Sequence, residues 1–397
     1  MRVLSFTALF PNEARPYHGV FVRARLEAIA RRAEVRVIAP VFGPGWLHNG
    51  RIVKHVPYEE RQGDLRVAHP RNFNFPKILK GLDAWLLTRA VRSCFRDTVA
   101  AFHPDVVDAH FAYPDGTAAC RLAKECGLPY FLTVRGGDIN EFLPTRSRRE
   151  HILEALHGAE RVIGVCQDLV DSVVAAGVPR ERCVTIPNGV DLQRFFPEER
   201  SSARRRLGLE PDRPMLLYVG RISPEKGLHL LVEALSRVRS DTARRASLVL
   251  LGPAERPRYA AELEATAARC GLGEHLRFVG AHPGDELRWW YSAADVLGLA
   301  SEREGWPNVV LEAIACACPV VAVDVGGVAE AVPHELGGLV VPREADALAS
   351  ALDEGFTRTW DRESMLEYAR ARSWDRTADA CLETFRQALE NRAPPPA

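Results

Sequence analysis

The sequence predicts an α/β protein built from two doubly wound, Rossmann-like domains. Three observations carry that reading. The chain has 397 residues, enough for two separate cores. A strand–loop–helix–strand order opens at Arg2 and opens again at Met215. Between them, residues 197–214 form a charged, Pro-bearing stretch of the kind that marks a domain boundary. The composition, 47% apolar and 26% charged, is that of a soluble globular enzyme. Formal net charge is +0, so the total singles out no partner and gives no reason to expect nucleic acid. The charge is uneven, however. Residues before Asn188 carry about six more basic than acidic side chains, and the remainder carries the opposite excess.

Cysteine usage points to a reducing compartment. Nine cysteines occur without CxxC pairs or other metal-ligand spacing, and Cys316 and Cys318 lie in an apolar run. A cytoplasmic protein without a bound metal is the expectation. The apolar start, Val3 to Phe10, is short and reads as a strand, not a signal peptide. No apolar run reaches the ~18 residues of a membrane span.

In chain order, Arg2–Thr7 reads as the first strand, Pro11–His18 as a loop, and Gly19 as the entry to a helix reaching about Arg32. Glycine there would let backbone approach a phosphate closely, or would simply serve a turn. No G-x-G-x-x-G follows the strand, which argues against a dinucleotide-binding dehydrogenase. Val35–Ala39 is the second strand. Residues 41–75, rich in Pro, Gly, His and Arg, are expected to be loops. A helix is expected over Lys77–Phe102, with Leu79, Leu82, Leu86 and Ala90 on its apolar side. Lys77, Trp85, Arg89, Arg92 and Arg96 fall on the other side, preceded by Phe73 and Phe75. Such a face would suit an anionic membrane or a phosphorylated lipid acceptor, or would merely be solvated. Strands at Asp105–His110 and Pro129–Val134 end in loops bearing His110 and Arg135. Asp115 and Asp138 lie just beyond. A strand at Arg161–Val165 and a helix at Gln167–Ala176 lead to a turn at Asn188–Asp191.

The second domain begins with a strand, Met215–Val219, and a turn, Gly220–Gly227. Arg221 and Lys226, five apart around that turn, are able to grip a diphosphate from two sides. A helix follows from Leu228 to Val238. Strands at Ser247–Gly252, Leu276–Gly280 and Val296–Leu299 alternate with helices at Tyr259–Cys270 and Leu287–Ala293. Ser301–Gly305 is a polar turn before a helix, Val309–Ala317, opened by Pro307 and Asn308. Glu304 sits in the loop and Glu312 about a turn inside the helix. The helix N-terminus, with Gly305, Asn308, Val309 and Val310, suits a phosphate. Glu304 would reach sugar hydroxyls and Glu312 a ribose diol, or both would be favourable charges near a helix start. Pro319–Val323 and Leu339–Val341 are further strands. Helices at Ala345–Glu354, Arg362–Arg370 and Trp374–Asn391 close the chain. Residues 393–397, with three prolines, are expected to be disordered.

These segments resemble glycosyltransferase family 4. Glu304-Gly305-Trp306-Pro307-Asn308-Val309-Val310-Leu311-Glu312 is similar to its E-x7-E signature. GRISPEKG is similar to its diphosphate loop and IPNGVDLQRFFP to its interdomain linker. Gly280-Ala281-His282 resembles a loop that in this family lies near the nucleotide base, and Gly326–Glu330 resembles another loop typical of the family. FPNEARPYHGVFVR, DVVDAHFAYPDGTAA and LTVRGGDIN resemble a bacterial subgroup of surface-polysaccharide, teichuronic-acid-type enzymes. The likeness covers nearly the whole chain and is weakest at 41–104 and 355–397.

The resemblance implies a GT-B architecture. An acceptor domain, 1–192, would face a nucleotide-sugar domain, 193–373, and a terminal helix, 374–392, would return to the first domain. It implies a retaining, metal-independent transfer from a nucleoside-diphosphate sugar to a saccharide or lipid-linked acceptor; the basic first domain adds, as an expectation, peripheral contact at the inner membrane face. Glu304, Arg221 and Lys226 would be catalytic and Arg135 would lie near the reacting sugar; His110 is the nearest candidate for a catalytic imidazole, or is a structural histidine in its loop. Gly19, Gly280, His282 and Glu312 would bind the donor. Two residues depart from the pattern. Arg135 stands where many members have His; it cannot act as a base near neutral pH but could hold a phosphate or carboxylate. Ala317 stands where Gly is usual, at a cost of about 1 kcal/mol if its φ is positive. Two rival readings are a sugar-nucleotide epimerase and a silent nucleotide-binding scaffold.

Overall fold

The computed structural model describes residues 1–42, 47–48, 51–52, 56–72, 79–254 and 256–391. The expectations placed on Phe73, Phe75, Lys77 and the 393–397 tail lie outside them. The chain forms two compact units, Met1–Asn188 with Trp374–Ala397, and Gly189–Ser373.

Unit 1 is built on eight strands: β1 (Arg2–Phe6), β2 (Glu34–Ile38), β3 (Glu59–Gln62), β4 (Leu65–Ala68), β5 (Val106–His110), β6 (Tyr130–Val134), β7 (Arg161–Gly164) and β8 (Cys183–Thr185). Their order is β8-β7-β6-β5-β1-β2-β4-β3, parallel except for the β3–β4 hairpin. The central strands are buried along their length because helices cover both faces, which is why they read as unbroken apolar runs. Helices α1 (Val20–Ala30), α2 (Asp83–Phe102), α3 (Thr117–Glu125), α4 (Arg146–Gly158) and α5 (Gln167–Ala175) connect them. The order reverses between β1 and β5. There the carboxyl ends of two strands diverge and leave a crevice.

Two expectations fail here. Residues 41–75 are not all loop: Leu65 and Val67 point inward from β4, and Gly63, at φ 58, makes the turn from β3. Pro, Gly and Arg dominate the segment and mask that short alternation. In α2 the buried face is Ala84, Leu87, Thr88, Val91 and Phe95. Leu79 and Leu82, assigned to the apolar side, are exposed. They belong to a turn before the helix, and projecting them on its wheel rotated the stripe onto Ala90, which lies in α2 and is exposed as well.

Unit 2 opens with α6 (Arg200–Leu207), inside the segment expected to be a linker. The Glu199 carboxylate accepts the N–H groups of Ser201 and Ser202, and Gly208 ends the helix at φ 62. Buried Arg204 reaches Asp295 at 2.9 Å and donates to four backbone carbonyls, which ties α6 into the unit. Six parallel strands follow: β9 (Met215–Val219), β10 (Ser247–Leu251), β11 (Leu276–Gly280), β12 (Val296–Leu299), β13 (Val320–Val323) and β14 (Gly338–Val341), in the order β11-β10-β9-β12-β13-β14. Between them run α7 (Leu228–Ser236), α8 (Pro257–Arg269), α9 (Leu287–Ala293) and α10 (Asn308–Ala315), and α11 (Ala345–Thr357) and α12 (Arg362–Arg370) come after β14. The switch point lies between β9 and β12.

The last helix, α13 (Trp374–Glu390), belongs to unit 1. Its Phe385 ring lies 4.6 Å from that of Phe131, and Asp375 pairs with Arg31 and Arg32 of the α1 end. Among the described residues no helix is long and apolar enough to cross a membrane.

Candidate active site

In unit 2 the switch point collects three loops. Gly227, at φ 66, follows the β9 turn so closely under β12 that a Cβ would meet the Ala300 carbonyl oxygen at 1.9 Å. Gly326, at φ 51, lies the same way on Glu304, where a Cβ would meet its carbonyl oxygen at 2.0 Å. Only glycine permits both approaches. The result is a polar knot. Lys226 Nζ donates to Glu304 Oε1 at 2.6 Å, and Ser301 Oγ donates to the same oxygen at 2.7 Å. Arg221 extends into solvent with Glu225 at 3.9 Å. Lys226 and Glu304 thus meet although 78 residues apart in sequence.

Beyond this knot, α10 begins at Asn308, with Val309 and Val310 in its first turn and Gly305 in the loop before it. Glu312 accepts from Tyr291 Oη at 2.8 Å, and burial raises its pKa while this bond and Arg194 oppose the shift. Gly280 takes φ 87 at the end of β11. His282 Nδ1 lies 2.8 Å from Glu286, and its ring meets Trp290 edge-on. Ser301, Tyr291 and Arg194 are participants that sequence reasoning missed. Arg194 lies against Gly284, a contact with no local sequence signal.

In unit 1 the strand-end groups are turned inward. Gly19 caps α1 at φ 72, and a Cβ there would meet the Leu9 carbonyl oxygen at 2.2 Å. This glycine is required by the turn itself. His110 is a correction: it ends β5 and is 0% exposed, not in an open loop. Arg135 donates to its Nδ1 at 3.0 Å, and Nε2 faces Asp108 at 3.3 Å. Burial pushes His110 down to about 4, so the ring is neutral and enclosed. Asp108, also 0% exposed, lies 3.6 Å from Arg25, which donates to Thr133. Burial opposes its ionisation, but the Arg25 and Arg135 guanidinium groups and the contact with His110 hold Asp108 below its usual range.

Asp115 and Asp138, just beyond the strand ends, are also spent internally. Asp138 accepts the backbone N–H groups of Ala112, Arg135 and Gly136. Asp115 accepts that of Ala8 at 2.5 Å. Burial raises both, Asp115 to about 7. Arg135 is the strand-end group with partial access. Its Nη1 donates to Asn188 at 2.9 Å, and burial with Arg25 nearby draws it down to about 9, still charged at neutral pH.

Comparison with known proteins gives these features a setting. Residues 18–194 match a model of "Glycosyltransferase Family 4", and residues 199–372 one of "Glycosyl transferases group 1". A putative teichuronic acid biosynthesis glycosyltransferase, TuaC of Bacillus subtilis, is 30% identical over 368 residues, spanning 89% of this chain and 88% of that protein. A D-inositol 3-phosphate glycosyltransferase of Thermobispora bispora is 30% identical over 374 residues, 87% of this chain and 82% of its own. Among solved structures, sucrose-phosphate synthase from Thermosynechococcus elongatus superposes with a TM-score of 0.77 at 23% identity, over 98% of this chain and 99% of its own. Anabaena HepE, in complex with UDP and glucose, superposes with a TM-score of 0.72 at 21% identity, over 98% and 100%.

Proposed function

From the premise that this chain belongs to the family 4 glycosyltransferases of GT-B fold, we propose that it moves a sugar, with retention, from a nucleoside-diphosphate sugar held on unit 2 to an acceptor held on unit 1. The observation that carries the proposal is the Lys226–Glu304–Ser301 knot at the unit 2 switch point, flanked by Arg221 and the start of α10.

The bond from the anomeric carbon to the diphosphate breaks, and a bond to the acceptor oxygen forms. Negative charge grows on the departing phosphate. Lys226, Arg221 and the first N–H groups of α10 offset it without a metal ion. In the free protein Glu304 holds Lys226 in place. With donor bound, it accepts from sugar hydroxyls. Glu312 takes the ribose diol, and Gly280 with His282 borders the base. His110 is enclosed and Asp115 and Asp138 face backbone, so the acceptor proton passes to the leaving phosphate oxygen. Arg135, charged and partly accessible, binds a carboxylate or phosphate on a substrate. The acceptor is a surface saccharide or lipid-linked sugar met at the inner membrane face; a saccharide acceptor fits the relative described as a putative teichuronic acid biosynthesis glycosyltransferase.

Calorimetry with UDP, GDP and ADP tests the reading. One diphosphate should bind, and Lys226→Ala should weaken it about ten- to a hundredfold. Binding of none of the three would sink it. The HepE complex with UDP makes UDP the first ligand to try.

A further inference from the structure

On unit 1, α2, α3 and α4 enclose a pocket of about 470 Å3 that shares no residue with the strand-end crevice. Arg89, Arg92, Arg121 and Lys124 line it against two carboxylates, Glu125 and Glu154. The carboxylates are already engaged. Glu125 pairs with Arg92 at 2.9 Å and with Arg96 at 3.2 Å, and Glu154 takes both arms of Arg121. Arg89 and Lys124 are exposed and have no ion pair among the described residues. The pocket therefore offers surplus positive charge.

Its rim is apolar. Trp85 lines the pocket and is 55% exposed, and Leu79 and Leu82 just ahead of it are 56% and 45% exposed. This presentation is held in place. Tyr113 Oη donates to the Lys80 carbonyl, and Gly81 packs so closely on α4 that a Cβ would meet the Ser147 carbonyl oxygen at 3.0 Å. Leu79 sits at φ 51, a region a bulky exposed residue rarely adopts. The turn and the first turn of α2 thus present two leucines and a tryptophan to water, the tryptophan lining the cationic pocket, where single scattered apolar residues are the norm.

We propose that this face docks on an anionic lipid bilayer. Leu79, Leu82 and Trp85 enter the headgroup boundary, and a lipid phosphate seats between Arg89 and Lys124. Trp suits that depth because its ring is apolar with one polar edge. Arg89 supplies a planar fork and Lys124 a mobile point charge. The inference rests on the membrane contact proposed above and gives it a location.

Sedimentation with vesicles tests it. The protein should bind vesicles of phosphatidylcholine mixed with phosphatidylglycerol and should not bind phosphatidylcholine alone. Arg89→Gln with Lys124→Gln should weaken binding about thirtyfold, and added salt should weaken the wild type likewise. Leu79→Ser with Leu82→Ser should weaken it without altering the salt dependence. Wild-type indifference to phosphatidylglycerol would overturn the proposal, and so would full binding by the Arg89/Lys124 variant. Calorimetric binding of inorganic phosphate, lost in that variant, without vesicle binding would replace the bilayer with a soluble phosphate. Nucleoside-diphosphate binding by the same variants separates the two readings. If it persists while vesicle binding is lost, the surface serves docking alone. If no form binds nucleotide yet vesicle binding holds, the transferase reading falls and the docking surface stands.

Discussion

In unit 2 the carboxylate at the switch point, Glu304, keeps some access to solvent and holds Lys226. In unit 1 the carboxylates at the corresponding strand ends, Asp115 and Asp138, are sealed and accept backbone N–H groups. The same residue type at the same topological position does different work. One carboxylate is held by a movable ammonium that a ligand can draw away. The others fasten loops and are sealed from solvent. A strand-end acid is therefore a candidate for chemistry only when its partners are side chains that can exchange.

Removing a fastening should cost most. Asp108→Ala leaves Arg25 buried without its counter-charge, and urea unfolding of the variant should show a loss of about 3–5 kcal/mol. A loss under about 1 kcal/mol would mean that the Asp108 environment is open. Asp115 sharpens the point through pH. Its carboxyl is raised to about 7 when folded, so between the unfolded value near ~4 and pH 7 the folded state holds a proton that the unfolded state has lost. This group's contribution to stability is thus present at low pH and declines as pH rises through that window. Asp115→Asn should remove that decline, and unfolding free energies of the two proteins measured across the window should diverge in slope.

On the other side of the comparison, Glu304→Ala should leave folding intact. It should lower turnover about a hundredfold with little change in diphosphate affinity. Equal losses in both would make Glu304 a mere clamp on Lys226, like its unit 1 counterparts. Arg135→Gln tests the partly accessible strand-end group of unit 1. KM for an anionic substrate should rise about tenfold or more, with kcat for a neutral analogue unchanged. The smallest effect expected is at Ala317, where φ is 55. Ala317→Gly should add about 0.5–1 kcal/mol of stability without changing activity.

Much of the fold was legible because its signals are local. The apolar runs of β1, β5, β6, β9 and β12, and the glycines at 19, 227 and 326, announce buried parallel strands and tight strand-end turns. The E-x7-E spacing located Glu304 and Glu312, and the turn after β9 located Arg221 and Lys226. What stayed hidden depends on distant contacts. The pairing of Lys226 with Glu304, the Tyr291 bond to Glu312 and the enclosure of His110 each join residues far apart in the chain or strands whose neighbours no spacing reveals. Burial of His110 in particular follows from helices that cover both sheet faces, not from anything adjacent to it. The α2 stripe failed for a different reason, since its helix starts later than its hydrophobic pattern does.

The packing of α13 on unit 1 has a consequence for synthesis. Trp374, Ala378, Cys381, Leu382, Phe385 and Ala388 sit in the same apolar core as Val3, Leu26 and Phe131. The β1 and α1 residues must therefore wait for α13, made after all of unit 2, before their core is complete, while unit 2, one unbroken span, has all its parts in hand earlier. A nascent chain of this protein carries an unfinished unit 1 until α13 has been made. A stop codon ahead of Trp374 would strand that unit with its apolar surface uncovered, a target for chaperones and proteases, even though every strand of both sheets had been made.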